Sequence, residues 1–562
     1  ALDWLVIGVF FLALIGIIVW VVRQKQNDSA DYFLGGRDAT WLAIGASIFA
    51  SNIGSEHLIG LAGAGASSGM AMAHWEIQGW MILILGWVFV PFYTRSMVYT
   101  MPEFLERRYN PQSRTILSVI SLVSYVLTKV AVTVYAGGLV FQQVFGIKEL
   151  WGIDFFWIAA IGLVVLTALY TIFGGMKSVL YTSVLQTPIL LLGSLIILVL
   201  GFKELGGWDE MMRVCGAVTV NDYGDTMTNL IRSNDDANFP WLGALIGSAI
   251  IGFWYWCTDQ FIVQRVLSGK NEKEARRGTI FGAYLKLLPV FLFLIPGMIA
   301  FALHQKYIGA GGEGFLPMLA NGTANADAAF PTLVAKLLPA GVKGLVVCGI
   351  LAALMSSLAS LFNSSAMLFT IDFYKRFRPE TPEKKLVGIG QIATVVIVIL
   401  GILWIPIMRS VGDVLYTYLQ DVQSVLAPGI AAAFLLGICW KRTSAQGGMW
   451  GLIAGMIIGL TRLGAKVYYS NAGEVADSTF KYLFYDMNWL FFCGWMFLFC
   501  IIVVIVVSLA TEAPTAEKIQ GLVFGTATKE QKAATRASWD HWDIIHTVII
   551  LAITGAFYWY FW

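Results

Sequence analysis

Long apolar segments separated by short polar loops run along the whole chain. Fourteen of them are long enough to cross a bilayer core of about 30 Å, which takes about 20 helical residues. Hydrocarbon offers no water to backbone groups, so each spanning segment must close its hydrogen bonds within a helix. The sequence therefore predicts an all-α, multi-pass membrane protein. The segments lie at 2–22, 41–65, 75–94, 116–144, 155–173, 179–202, 241–263, 279–303, 345–374, 386–407, 414–440, 449–469, 489–509 and 544–560.

The composition excludes several other classes of protein. Hydrophobic residues make up 58% of the 562 positions and charged residues only 13%, a balance foreign to soluble domains of this length. The net charge of +2 gives no sign of a nucleic-acid partner. No G-x-x-x-x-G-K-S/T motif occurs, so ATP-driven pumping by this chain is not expected. Among the cysteines, only Cys215 falls in a predicted external loop, so no disulfide framework is predicted.

The distribution of basic residues sets the orientation of the predicted spans. An even number of spans places both termini on one side, and external termini put the basic loops inside the cell. The acidic, glycine-rich loops 203–240 and 304–342 then lie outside, with a glycosylation sequon at Asn321. We therefore expect a multi-pass protein of the cell membrane with both termini outside. The inner basic residues include Arg95, Arg107, Arg108, Lys270, Arg276, Arg277, Lys375, Arg376, Lys384 and Lys385.

A polar stretch interrupts the second apolar segment, between Ala50 and His57. Asn52 follows Trp41 by eleven positions, or about 17 Å at helical rise, which is near the middle of a bilayer core. Such a break is typical of a discontinuous helix that lines a substrate or ion site. The alternative is a tight helix crossing built on small residues. Glu56 and His57 favour the functional interpretation, because ionisable groups inside a membrane usually mark pathways.

Six motifs lie in order along the chain: 46–57 (ASIFASNIGSEH), 99–104 (YTMPEF), 254–260 (WYWCTDQ), 264–265 (QR), 284–289 (YLKLLP) and 355–364 (MSSLASLFNS). On these motifs the sequence resembles the solute:sodium symporter family, and within it the sodium/glucose cotransporters. The resemblance implies an amino-acid/sodium symporter-like fold, with a core of two inverted five-helix repeats and discontinuous helices. It divides the chain into an extra helix and inner loop (1–40), a first repeat (41–240), a second repeat (241–440) and three final helices (441–562).

The function implied by the resemblance is transport without covalent chemistry, so no enzyme is expected. A symporter of this kind couples inward sodium flow to uptake of a monosaccharide of the glucose or galactose type by alternating access. A symporter for myo-inositol or another polyol is an alternative that the 46–57 motif does not separate. A sugar-gated channel or sensor with the same fold is a third interpretation.

The resemblance places the substrate contacts on seven residues. A sugar needs side chains that hydrogen-bond in both directions, together with an aromatic platform. The polar residues are Asn52, His57, Glu76, Lys286 and Gln420, and the aromatic ones are Tyr255, which would cover the sugar from inside, and Trp256.

Each of several contacts also has a simpler interpretation. Glu76 could be a solvated carboxylate at a helix end, and Lys286 could snorkel to the inner interface. Gln420 could make an interhelical hydrogen bond, in a segment expected to break soon afterwards at Pro428-Gly429. The tryptophans of 254–256 could belong to an aromatic belt, but Tyr255 lies about 21 Å into the membrane, too deep for one.

The resemblance also implies a sodium site. Sodium prefers oxygen ligands, and an unwound helix frees backbone carbonyls while a facing helix adds hydroxyls. The implied ligands are the carbonyls of Ala50, Ile53 and Ala353 and the hydroxyls of Ser356 and Ser357. Serines in membrane helices also commonly bond to their own backbone.

Two substitutions bear on the number of sodium ions. Family members with a second ion carry an Asp where this chain has Ser183 and a hydroxyl where it has Ala359, so we expect one sodium per sugar. Asp259 and Arg265, at the inner end of the seventh segment, could brace an inner gate or anchor a helix end. Lys129 is an intramembrane charge without an assigned role, and it could pair with a carboxylate.

Overall fold

The structure is a computed structural model that describes residues 1–54, 56–319, 321–411, 414–473 and 475–562. Within these ranges it describes the backbone alone for residues 126–128, 131, 139, 404–411, 414–422, 467, 470 and 471. The described chain is mostly helical, and its strands are one short antiparallel pair, β1 (Glu149–Leu150) and β2 (Ile153–Asp154), with Glu149 opposite Asp154. The all-α fold class predicted from the apolar segments is therefore confirmed.

The helices before residue 220 build the first part of the bundle. They are α1 (Leu2–Val22), α2 (Ser29–Leu34), α3 (Trp41–Asn52), α4 (Ala62–Ser67), α5 (Ala73–Glu76), α6 (Gly79–Ile84), α7 (Val90–Ser96), α8 (Met101–Arg108), α9 (Pro111–Ser124), α10 (Ala131–Phe145), α11 (Phe155–Leu205) and α12 (Trp208–Gly216). Helix α11 covers two predicted spans in 51 residues. Its two halves meet at a bend at Gly175, which has non-helical dihedral angles (φ 57°, ψ −146°). A side chain there would meet the Tyr32 carbonyl at 2.3 Å, so only glycine fits the bend.

The remaining helices follow the external loop. They are α13 (Trp241–Gly252), α14 (Gln260–Leu267), α15 (Glu272–Lys286), α16 (Ile295–Gly309), α17 (Ala329–Leu337), α18 (Val342–Met367), α19 (Lys375–Phe377), α20 (Glu383–Val411), α21 (Val414–Cys439), α22 (Ala445–Asn471), α23 (Thr479–Lys481), α24 (Trp489–Ala510), α25 (Ala516–Ile519), α26 (Lys529–Ala537) and α27 (His541–Tyr560). Ten helical stretches of the described chain are long and apolar enough to cross a membrane. The count of fourteen spans and the division into repeats stay predictions.

Short π-helical and 3₁₀ turns connect many of these helices. The π-turns are Glu56–Leu61, Leu85–Phe89, Tyr125–Val130, Phe253–Thr258, Val290–Leu294, Leu368–Tyr374 and Tyr482–Asp486, and the 3₁₀ turns are Gly35–Arg37, Gly69–Met72 and Ala326–Ala328. Turns of the π type are rare and occur frequently at functional sites. Three of them carry residues singled out by the sequence: His57, Lys129 and Tyr255.

Helices α3 and α18 lie at the centre of the bundle. Residues 352–368 of α18 and the adjoining turn are all buried, although six of them are serine or asparagine. Helix α3 approaches α15 closely at two glycines, since a side chain at Gly45 would lie 2.9 Å from the Gly278 carbonyl. Small residues at such crossings let membrane helices pack backbone to backbone. The interrupted helix is thereby held between α15 and α18.

The predicted break at Pro428-Gly429 is wrong, because α21 continues through Pro428 as one helix. Proline removes one hydrogen bond from a helix, but neighbouring membrane helices can compensate for that loss. Here a side chain at Gly429 would lie 2.9 Å from the Gly455 Cα atom, so α21 and α22 are packed against each other at this point.

Candidate solute and ion site

The polar stretch in the second apolar segment is a true helix break. Helix α3 ends at Asn52, Ile53 is extended (φ −76°, ψ 115°), and a π-turn begins at Glu56. The Gly54 amide donates a hydrogen bond of 3.5 Å to His57 Nδ1, which turns the His57 ring back over the break. The discontinuous helix predicted from residues 50–57 is confirmed.

Lys286 joins the break to the neighbouring helices. Its ammonium donates to Glu76 Oε2 at 2.7 Å and to Asn52 Oδ1 at 3.0 Å. His57 Nε2 lies 3.2 Å from the same Glu76 oxygen. Since His57 Nδ1 accepts the Gly54 amide, Nε2 carries the proton and donates to Glu76. Four residues from three separate stretches of the chain thus form one connected polar network.

This network corrects the simpler interpretations of two residues. Lys286 is only 2% exposed and does not snorkel to the interface, because its partners lie inside the bundle. Glu76 is 8% exposed and is not a solvated helix-end carboxylate. A charge buried in this way is stable only with a close partner and further hydrogen bonds, which each of the two provides for the other.

Two aromatic side chains border the network. Asn52 Nδ2 donates to the Tyr255 hydroxyl at 3.1 Å, and the Trp256 ring lies 5.2 Å from the Lys286 ammonium. The two rings meet edge to face, with centroids 4.9 Å apart. Tyr255 and Trp256 are neighbours in the π-turn after α13, which brings both side chains to the same cavity.

Six of the seven predicted substrate residues line a single cavity, and the seventh, Gln420, lies outside the side chains that the structure describes. The cavity holds about 90 Å³, well below the roughly 300 Å³ at which ligand sites begin. The structure therefore shows the site contracted around its own polar network. The shared lining residues are Asn52, His57, Glu76, Tyr255, Trp256 and Lys286.

Four further lining residues with polar side-chain atoms were not predicted as substrate contacts: Glu56, Trp75, Gln78 and Gln423. Glu56 could have been included, because it precedes His57 in the same motif. Gln78 follows Glu76 by two positions, accepts a hydrogen bond from Trp256 Nε1 at 3.3 Å and donates to the Ser248 carbonyl at 2.7 Å. Only the folded chain shows that this glutamine holds the Trp256 ring in place.

The chain that follows Tyr255 is packed inside the protein. Residues 256–268 are buried without exception. Asp259 caps the N-terminus of α14 and binds the Lys129 ammonium at 3.0 Å, which confirms the carboxylate partner expected for Lys129. An Asp259–Arg265 pair, which could have braced a gate, is not among the ion pairs that the described side chains form. Arg265 donates instead to the Phe261 carbonyl at 2.7 Å.

The helix break faces the serine pair of α18. A side chain at Gly54 would lie 3.1 Å from Ser357 Oγ, so the glycine allows the two elements to approach. The end of α3 leaves carbonyls of its last turn, including that of Ala50, without helical partners. The extended backbone at Ile53 turns its carbonyl away from the helical hydrogen-bond pattern. Ala353, fully buried on α18, lies one turn before Ser357. The predicted sodium ligands thus come from the two elements that meet at the break.

Ser356 differs from Ser357 in its contacts. Its hydroxyl donates to Gln186 Oε1 on α11. Ser183, one turn earlier on that helix, donates to the Val179 carbonyl at 2.6 Å, within its own backbone. Ser360 donates to the Ser356 carbonyl at 2.8 Å and also contacts the Ser51 hydroxyl. These hydroxyls are therefore bonded to a glutamine side chain, to backbone carbonyls or to another hydroxyl.

A bundle of membrane helices around a broken helix, with a closed polar site beside the break, defines the class of secondary transporters. The model of the sodium:solute symporter family matches residues 32–455 of this chain. The chain belongs to that family, and its co-transported ion is sodium.

Curated relatives cover nearly the whole chain. The human sodium/myo-inositol cotransporter 2 is 36% identical over 538 residues, a match that covers 93% of this chain and 79% of the relative. The dog sodium/myo-inositol cotransporter is 37% identical over 547 residues, covering 93% of this chain and 75% of the relative. Among solved structures, a substrate-bound, outward-open Na⁺-coupled sialic acid symporter matches 92% of this chain and 99% of its own, with a TM-score of 0.72 and 22% identity. That likeness confirms the symporter fold.

Proposed function

We propose that this protein imports a neutral polyol of the myo-inositol type together with sodium by alternating access. The network of Lys286, Glu76, Asn52 and His57 carries this proposal. Within this network one ammonium and one carboxylate neutralise each other, so these four residues require no charge on the solute. A hydroxyl group donates one hydrogen bond and accepts others, and the network offers both carboxylate acceptors and amide or ammonium donors to it.

The motifs led us to expect a monosaccharide first and a polyol as the alternative. The names of the curated relatives favour the polyol. Glu56 supports the same choice, because it adds a second carboxylate to the cavity. A cyclic polyol presents hydroxyl donors on every ring carbon, so it can reach both carboxylates at once. A monosaccharide is the second candidate, and the edge-to-face pair Tyr255 and Trp256 supports it, since such a platform fits the apolar face of a sugar ring.

Uptake by purified protein in liposomes tests the proposal. An inward sodium gradient should accumulate labelled myo-inositol above its external concentration, and choline in place of sodium should abolish the accumulation. Unlabelled myo-inositol should compete better than glucose or galactose at equal concentration. A channel would bring the labelled solute only to equilibrium, and stronger competition by glucose would favour the monosaccharide.

We also propose that one sodium ion accompanies each solute molecule. The support is the pair of positions that the second ion would need: Ala359 has no hydroxyl, and Ser183 stands where a carboxylate would be required. A buried cation without a carboxylate keeps most of its desolvation cost and loses its main attraction.

Both termini are proposed to face the outside, on the strength of the basic inner loops. Accessibility of a terminal epitope tag in intact cells tests this orientation, and a tag reached only after permeabilisation would reverse it.

A further inference from the structure

Lys129 is a buried cation outside the solute network. Its side chain is 8% exposed, and its ammonium donates to Asp259 Oδ2 at 3.0 Å. Four aromatic rings enclose the same ammonium, with centroids at 4.9 to 5.2 Å from Nζ. The rings belong to Tyr125, Trp254, Tyr255 and Phe261.

An ammonium at this place has a large desolvation cost, which the carboxylate and the rings together must offset. The face of an aromatic ring attracts a cation, most strongly where water is excluded. Lys129 lies on the π-turn Tyr125–Val130, which interrupts the regular helix between α9 and α10. Removing the ammonium would therefore leave both a buried carboxylate and four inward-facing rings without their common partner.

The residues held by Lys129 lie at the cavity and at the start of α14, on the side that the proposed orientation places towards the cell interior. Tyr255 borders the cavity and accepts a hydrogen bond from Asn52. Asp259 caps α14, a helix that is buried along its whole length. Phe261, on the first turn of α14, donates its amide to the Tyr125 hydroxyl at 3.3 Å, so Tyr125 and Lys129 both bind the start of that helix.

We propose that Lys129 is a positioning residue of an inner gate, whose ammonium holds Tyr255 and the start of α14 beneath the cavity. The inference rests on the proposed function, because a gate has meaning only for a carrier. Release of solute to the inside then requires the Lys129–Asp259 pair and the ring contacts to separate. Loss of the ammonium should leave the inner side open for a larger fraction of the time.

Cys257 offers a reporter for this equilibrium. It lies between Tyr255 and Asp259 and is fully buried in the closed structure. Cys493 on α24 is equally buried but lies outside the gate, so it serves as an internal control. Alkylation of both cysteines by N-ethylmaleimide, followed by mass spectrometry, measures opening at the gate separately from general loosening of the fold.

Lys129→Gln should raise the alkylation rate of Cys257 by about tenfold or more while leaving Cys493 unchanged, since one partner of a buried ion pair is lost. Lys129→Arg keeps the charge and should stay close to the parent protein. Asp259→Asn should resemble Lys129→Gln, and the exchanged pair Lys129→Asp with Asp259→Lys should recover part of the protection.

Equal alkylation of Cys257 in Lys129→Gln and the parent would overturn the inference. A parallel rise at Cys493 would do the same, because it would show a structural role without a gate. These outcomes do not depend on which solute is carried. Failure of the parent protein to accumulate any polyol or sugar would instead count against the proposed function, while the comparison of alkylation rates would still stand.

Discussion

The Lys286 ammonium and the Glu76 carboxylate are bound at 2.7 Å, although 210 residues separate them in the chain. Both side chains are almost completely buried, and both line the same cavity. The ion pair is already formed in the contracted site, and a hydroxyl group of an incoming solute can replace some of its hydrogen bonds. The pair therefore contributes to folding and to solute recognition at once, and variants should affect both.

Glu76→Gln should weaken solute uptake and also destabilise the protein, by about 3–5 kcal/mol, because Lys286 stays buried without its counter-charge. The double variant Glu76→Gln with Lys286→Met should recover most of the stability but none of the uptake. Thermal unfolding in detergent and the apparent solute affinity measure the two effects.

Asp477→Asn is the matched control for this experiment. Asp477 forms an ion pair of similar length, 2.9 Å, with Lys481, but its side chain is 94% exposed. Surface pairs contribute little to stability, so this variant should behave like the parent. Equal loss of stability in both variants would argue against a special role for the buried pair.

Ser357→Ala should raise the sodium concentration that gives half-maximal uptake. The hydroxyl faces the helix break at Gly54, and loss of one ligand should cost about 1–3 kcal/mol, or roughly five- to 150-fold in sodium affinity. Sodium titration of uptake in liposomes measures the shift. Ser118→Ala is a suitable control, because Ser118 is a buried serine that donates to the Arg114 carbonyl at 2.8 Å. An unchanged titration in Ser357→Ala would place sodium elsewhere.

Gly54→Ala should impair sodium dependence although the backbone at this position tolerates alanine. The added methyl group would lie 3.1 Å from Ser357 Oγ and 3.4 Å from its Cβ, so the break and α18 would have to move apart. Gly16→Ala on α1 has no neighbour within 4 Å and should leave sodium dependence intact. Sodium titrations of the two variants should diverge, and matching curves would show that the close approach is not needed for ion binding.

The reversal potential of the transport current should report one sodium per solute. One charge moved through 100 mV corresponds to about 2.3 kcal/mol and a tenfold solute gradient to about 1.4 kcal/mol. A tenfold change in the solute gradient should therefore shift the reversal potential by about 60 mV for one sodium, or about 30 mV for two. Ser183→Asp with Ala359→Ser should move the shift towards the smaller value. A shift of the smaller size in the parent would show that Ser183 and Ala359 do not limit the ratio.

The sequence by itself determined the helical membrane fold, the break after Asn52 and the membership of a transporter family. These properties depend on local order along the chain: apolar runs of bilayer length, polar residues at mid-depth, and motifs that are read residue by residue. It also named six of the residues that line one cavity.

Only the tertiary structure decided which charges meet. Nothing local predicts that Lys129 binds Asp259 across 130 positions, that Glu76 is buried against Lys286, or that Gln78 supports Trp256. Such partners are chosen by how helices pack, and a buried charge is retained only where packing supplies its counterpart. The same packing keeps α21 continuous through Pro428, where chain-local rules predicted a break.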